Sequence, residues 1–165
     1  LAVKVDRPYS PQSKIILEAV LQGSSRPDPE GWEIPLTVTI GSTAFGPIHT
    51  TKSNGKAICQ ITGVAPGNYD ITVDSGTTLA NIKQNVNITS GDNTIDMGTL
   101  LEGDANEDGI INISDFGILA VAFMSIPGDD NWDTRADFDR NGIINISDFG
   151  LLAVNFMKTS PVEIF

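Results

Sequence analysis

The chain has one cysteine, Cys59, and one histidine, His49, in 165 residues. A lone thiol excludes an intrachain disulfide, and two isolated residues of these types give no zinc-ligand spacing. Basic residues are scarce as well: 10 Lys and Arg face 21 Asp and Glu, a formal net charge of -11 with a pI near 4.2. This balance excludes nucleic acid and anionic membrane surfaces as partners, since both need basic patches. No apolar run approaches the roughly 18 residues of a membrane span, so no membrane insertion is expected. No Ser-His-Asp constellation and no phosphate-binding loop is present. His49 reads as a surface residue, and Cys59, on an alternating stretch, as a small buried hydrophobe. The chain opens at Leu1 without Met, so it is expected to be a mature or excised product.

What the sequence does contain is a duplication. Asp104, Asn106, Asp108, Gly109, Ile111, Asn112 and Asp115 recur 33 residues later as Asp137, Asp139, Asn141, Gly142, Ile144, Asn145 and Asp148. Between 108–124 and 141–157, 14 of 17 positions are identical, which marks one supersecondary unit used twice. Each copy places oxygen side chains at loop positions 1, 3, 5, 9 and 12 and a glycine at 6. A hard cation needs this arrangement, because Ca2+ takes six to eight oxygens from a chain that turns sharply around it. Ile110 and Ile143, at position 7, would offer backbone carbonyls. Asn112 and Asn145, at position 9, could act through water. Ile111 and Ile144, at position 8, would point away from the ion and tie the loops together. The expected metal set is therefore Asp104, Asn106, Asp108, Ile110, Asn112 and Asp115, with Asp137, Asp139, Asn141, Ile143, Asn145 and Asp148, for two calcium ions.

Both loops end in Asp where the EF-hand pattern has Glu, and the flank from Met97 to Glu102 lacks an entering amphipathic helix. Each unit is thus a loop followed by one helix. This duplicated half-hand resembles the dockerin family over about Glu102 to Lys158. The resemblance implies docking onto a cohesin-type β-sandwich partner through the helices, with Ile113-Ser114 and Ile146-Ser147 among the contact positions. Because the copies are so alike, it also implies two docking orientations related by a pseudo-twofold axis.

Charge separates the chain near residue 102. Residues 1–101 carry nine acids and seven bases, net -2, and residues 102–165 carry twelve acids and three bases, net -9. Two Ca2+ would bring the second segment to -5 and relieve self-repulsion, so without them it is expected to be loose or unfolded. Calcium loops are most useful where calcium is plentiful, which points to an extracellular (secreted or cell-surface) location.

The first segment reads as repeated short strands. Residues 15–21, 34–40, 57–62, 69–73, 79–88 and 94–97 are apolar or alternating, and Asn54-Gly55 is a strong hairpin turn. Six or seven short strands imply a β-sandwich of roughly 90 residues. The run Gly63-Val64-Ala65-Pro66-Gly67-Asn68-Tyr69-Asp70-Ile71 resembles prealbumin-like, carboxypeptidase-regulatory-like modules. The expected fold class is α+β and multidomain, an N-terminal Ig-like or prealbumin-like sandwich followed by a small helical calcium-binding domain. The expected boundaries are a strand and Pro-containing tether at 1–12, the sandwich at 13–101, the dockerin-like unit at 102–158 and a tail at 159–165. Only Thr99 to Gly103 joins the two modules, so they should sit against each other.

Within each helix, Phe116, Leu119, Ala120 and Phe123, repeated as Phe149, Leu152, Ala153 and Phe156, follow helical spacing and read as a core face. The opposite face holds Ser114, Ile118 and Val121 in one copy and Ser147, Leu151 and Val154 in the other. That second face must meet either the sandwich or a partner. The tail Val162-Glu163-Ile164-Phe165 is apolar and would clamp over the helix pair or touch another molecule.

The expected function is that of a non-enzymatic assembly module docking onto a cohesin-type partner. A rival reading is a self-assembling filament subunit, a homopolymer of identical subunits, in which Leu1, Val3 and Val5 form a strand donated to a neighbour's sandwich. A third is a carbohydrate-binding accessory using Trp32 or Trp132.

Overall fold

A computed structural model of the protein describes residues 12–165. The donated-strand residues Leu1, Val3 and Val5 lie outside the described residues. Two sheets and two α-helices make up the fold, in the α+β class. One sheet has strand order β4-β5-β1-β8 and the other β3-β2-β6-β7-β9. These are β1 (Ser13–Leu21), β2 (Pro35–Ile40), β3 (Thr43–His49), β4 (Thr51–Ser53), β5 (Lys56–Val64), β6 (Gly67–Asp74), β7 (Asn81–Ile88), β8 (Gly91–Leu100) and β9 (Val162–Glu163). The helices are α1 (Ile113–Ala122) and α2 (Ile146–Asn155).

Strand β1 is the spine of its sheet, antiparallel to β5 with Leu17 opposite Cys59, and parallel to β8 with Leu17 opposite Ile95. Its strict alternation turns Ile15, Leu17, Ala19 and Leu21 inward, where they meet Leu36, Val38 and Ile40 of β2 and Ile71 and Val73 of β6. Between β4 and β5 the turn residues Asn54 (φ 51°) and Gly55 (φ 74°) both take positive φ, as a two-residue hairpin of this hand requires. Trp32 packs on the edge of this core with Lys52 Nζ 5.0 Å from its ring centroid, which gives it a structural place. Trp132 packs separately, against the helical core.

Two expectations are corrected here. The strand expected from Leu79 begins at Asn81, and Leu79 itself enters the helical core with Ile111, Leu119, Phe138, Ile144 and Leu152. Thr43–His49 and Thr51–Ser53 are strands that alternation does not reveal, because β3 is an edge strand with mostly exposed side chains. The tail reaches the sandwich as well as the helical core, against which Val162 packs. Val162 and Glu163 pair parallel to Asn81 and Ile82, and the Val162 and Ile164 amides donate to Ala80 O and Ile82 O, both at 2.8 Å.

Buried polar groups join the sheets to the helical region, beside the apolar contact of Leu79. Arg26, in the loop after β1, donates from Nη2 to Glu102 Oε1 at 2.8 Å, and both side chains are almost wholly buried. Thr77 Oγ1 donates to the other carboxylate oxygen at 2.7 Å. Asn155, at the end of α2 and 0 % exposed, donates to Glu102 O at 2.8 Å and to Gln22 Oε1 at 2.6 Å. Burial raises the Glu102 carboxyl, while Arg26 and the Thr77 hydroxyl pull it back down.

Candidate calcium centres and helix face

Each repeat builds its loop around carboxylates that collect backbone N–H groups. In the second copy Gly142 N donates to Asp137 Oδ2 at 3.0 Å, and Asn141 N to Asp137 Oδ1 and Asp139 Oδ1, each at 3.1 Å. Asp148 reaches back from the first turn of α2 and accepts from Asp139 N (3.2 Å) and Asn145 N (2.9 Å). The first copy repeats the frame: Gly109 N to Asp104 Oδ2 (2.8 Å), Asp108 N to Asp104 Oδ1 (3.1 Å), Asn106 N to Asp115 Oδ1 (3.2 Å) and Asn112 N to Asp115 Oδ2 (2.8 Å). Gly109 and Gly142 both sit at φ 79°, which lets the chain turn back under the first ligand. Glu107 (φ 59°) and Arg140 (φ 58°), at position 4, take the same hand.

This geometry explains why Asp can replace Glu at position 12. The carboxylates of Asp115 and Asp148 also close capping boxes with Asn112 and Asn145, which draws the start of each helix over the loop. In the second copy an oxygen of the shorter Asp148 side chain lies within 4.8 Å of one on the first ligand, Asp137.

The donor set fits a divalent cation. One oxygen from each of Asp137, Asp139 and Asp148 lies within 4.8 Å of the others, and oxygens sharing one calcium stand at most about 5 Å apart. Burial pushes the Asp148 carboxyl up to about 6, with the charges of Asp139 and Asp137 adding to burial against the bonds from Asn145 N and Asp139 N. Asp104 is raised first by burial and then by Asp115 and Asp108. Carboxylates crowded out of water in this way are what a bound divalent ion would neutralise. Asp137, Asp139 and Asp148 could hold a divalent ion, and the first copy repeats their backbone frame with Asp104, Asn106, Asp108 and Asp115.

Asn112 and Asn145 also have a structural part. Their Oδ1 atoms accept from Ser114 N (2.8 Å) and Ser147 N (2.7 Å), and their Nδ2 atoms donate to Ile110 O (3.0 Å) and Ile143 O (3.1 Å). They cap the helices and brace the position-7 carbonyls.

The position-8 residues tie the repeats together crosswise. Met157 N donates to Ile111 O, and Met124 N to Ile144 O, both at 2.8 Å, so each loop binds the segment leaving the other copy's helix. Ile111 and Ile144 are fully buried.

The helix faces need a correction. Of the stripe expected to be core, Leu119 and Leu152 are buried, but Phe116, Phe123, Phe149 and Phe156 are all exposed at the surface. Ile118 and Leu151, expected on the outer face, are half-buried against the helical core. Phe116, Leu119, Ala120, Phe123, Ile146 and Phe149 line a shallow groove of about 310 Å³. The repeat-equivalent residues line another of about 350 Å³. Beside them Ile113, Val121 and Met124, with Ile146, Val154 and Met157, are 64–74 % exposed. Ser114 and Ser147 sit at the start of this face, one exposed and one half-buried. Helical spacing does not mark the methionines and phenylalanines as contact residues; their recurrence after 33 residues, outside the metal loops, is the available signal.

Residues 102–156 match the family model of the Dockerin type I domain. That match covers both candidate centres and both helices. No curated protein matches the chain. Two solved structures resemble it over most of its length. One is a C-terminal interface mutant of the type II Cohesin-X-Dockerin complex from Acetivibrio cellulolyticus, at 23 % identity and TM-score 0.68 over 88 % of this chain and 97 % of that one. The other is an N-terminal interface mutant of the same type II complex, at 21 % identity and TM-score 0.72 over 90 % and 97 %. At these identities the likeness is one of fold, and it extends through the sheets as well as the matched dockerin region.

Proposed function

We propose that the chain is a non-enzymatic extracellular docking module whose dockerin-like part binds two calcium ions and seats a cohesin-type β-sandwich partner on α1 and α2. The observation carrying this reading is the helix face. Ile113, Phe116 and Phe123 and their equivalents Ile146, Phe149 and Phe156 line two apolar grooves that share Phe116 and Phe149 and open to solvent at the end of a strongly acidic chain. Single exposed apolar residues are ordinary, whereas a contiguous face repeated in two copies marks an interaction surface. Calcium would hold each loop closed and so fix the start of each helix, where the face begins.

The proposed unit spans residues 102–158, docked on a prealbumin-like sandwich of residues 13–101, with 1–12 and 159–165 as flanking segments. Its contact set comprises Ile113, Ser114, Val121, Ile146, Ser147 and Val154, joined by Phe116 and Phe149, with Ile118 and Leu151 supporting from beneath. The carboxylate clusters that could serve acid-base chemistry are those of the two loops.

The test is direct binding to a panel of immobilised cohesin domains in calcium and in chelator. Retention in calcium that is lost in chelator is the expected result. A chain that binds its ions yet retains no cohesin in either condition would remove the docking reading.

A further inference from the structure

Arg26 belongs to the sandwich by sequence, yet it ends at the second calcium loop. Its guanidinium is held by carbonyls of its own loop, with Nε to Gln22 O at 3.0 Å, Nη2 to Gln22 O at 2.8 Å and Nη1 to Gly31 O at 2.7 Å. Glu102 anchors it from the module junction. So fixed, Nη2 also donates to Phe138 O at 2.8 Å.

Phe138 lies between the candidate ligands Asp137 and Asp139, with its side chain fully buried. The peptide that follows it is planar, so holding the carbonyl also fixes the direction of its N–H. That N–H belongs to Asp139 and donates to Asp148 Oδ1 at 3.2 Å. One peptide unit thus links Arg26 on one side to the last ligand of the ring on the other. Gly23 closes the same contact, since a Cβ there would lie 2.7 Å from Asp139 Cβ.

The first loop is held by other means. Asn106 N makes the equivalent bond to Asp115 Oδ1, but the sandwich reaches this loop through Thr77 O, which accepts from Gly103 N at 3.0 Å and Asp104 N at 3.1 Å. Among the described residues no side chain donates to Ala105 O, the carbonyl matching that of Phe138.

We infer that Arg26 is a positioning residue for the second calcium ring, through which the β-sandwich sets that ring's affinity independently of the first. The inference rests on the calcium reading of Asp137, Asp139 and Asp148. Partners that orient a metal's ligands typically govern about 10–100-fold of its affinity. Arg26 also places its charge near Asp139, so a substitution that keeps the charge isolates orientation from electrostatics.

The test is calcium titration of the whole 15N-labelled chain, read at the amides of Gly109 and Gly142, each donating to the first ligand of its own loop. Arg26→Lys keeps the charge, has a single nitrogen to share among these carbonyls and leaves Glu102 with its bond from Thr77 in place. In this variant the Gly142 midpoint is expected to move to about tenfold higher calcium or more, with Gly109 unmoved. A merely structural loss would shift both glycines together, and that result, or no shift at either, overturns the inference. Should Arg26→Lys fail to fold without calcium, Arg26→Gln is read in the same way. It keeps donor groups but not the charge, and a shift confined to Gly142 is again expected. If Gly142 in the unaltered chain shows no calcium response, the calcium reading fails instead.

Discussion

Phe116 and Phe149 hold the same position in the two repeats and meet edge to face, their ring centroids 6.1 Å apart at an interplanar angle of 69°. The pair lies between the two helix-face grooves and contributes to both. It is where the internal pseudo-twofold crosses the surface. The two residues are 36 and 37 % exposed, so part of each ring packs on the fold while the rest offers a partner two aromatic anchors.

Truncating this pair should separate docking from stability. Each ring removed from the centre of an apolar interface typically costs about 2 kcal/mol or more of binding. Phe116→Ala with Phe149→Ala is expected to weaken cohesin binding by a factor of thirty or more, taking ~2 kcal/mol as the threshold, while the melting temperature in calcium falls but stays above the temperature of the titration. Calorimetric titration beside a thermal scan measures both. Unchanged affinity would mean that the face is not the contact.

The two loop-closing aspartates carry the second prediction. Asp115 and Asp148 are fully buried, and each accepts two backbone amides of its own loop. At a hundredfold excess of calcium over Kd each ion would stabilise the fold by about 2.7 kcal/mol. Asp115→Ala with Asp148→Ala is expected to abolish the rise in melting temperature that calcium gives the unaltered chain. A variant that keeps this rise would show that the ions, if bound, sit elsewhere.

Acid should act against the calcium-bound state. The Asp148 carboxyl is pushed up to about 6 by burial, against an ordinary value near 3.9. Between these values the folded calcium-free chain keeps a proton that the unfolded chain has lost. From this group, then, stability without metal grows as pH falls through 6 and declines as pH rises. Calcium requires the carboxylate, so its binding shifts the other way. The calcium-induced gain in melting temperature is therefore expected to shrink between pH 7 and pH 5, measured against chelator at each pH. A gain that grows on acidification would contradict the assignment.

What could be read from the sequence was whatever chemistry keeps local. The loops were legible because ligands, glycine and cap lie within twelve residues and appear twice. Inner strands such as β1 and β2 were legible because one face of each is buried. The edge strand β3 was not, since Gly46 and Pro47 interrupt it and only Phe45 and Ile48, both half-buried, pack against the core. Helices apolar on several sides defeated the assignment of faces: spacing alone puts Phe116 and Leu119 on one stripe, and only the assembled fold buries one and leaves the other for a partner. Arg26 carried no local signal at all, because its partners Glu102 and Phe138 are 76 and 112 residues away.

The tail gives the last prediction, through Gly98. This glycine sits at φ 71°, and a Cβ there would lie 2.9 Å from Ile164 Cδ1. Alanine at this φ is disfavoured by about 1–2 kcal/mol, and the Ile164 side chain would have to turn away. The tail also braces the first calcium loop: Ser160 N donates to Gly109 O at 2.8 Å, and Thr159 bridges to Ile110. Gly98→Ala is therefore expected to lower the melting temperature modestly and to speed hydrogen exchange at the Val162 and Ile164 amides. Exchange at Gly109 should rise with them, while Gly142, in the loop the tail does not touch, keeps its protection. Deuterium exchange followed by NMR distinguishes these sites, and unaltered protection at both Val162 and Ile164 would show that β9 does not depend on the space beside Gly98.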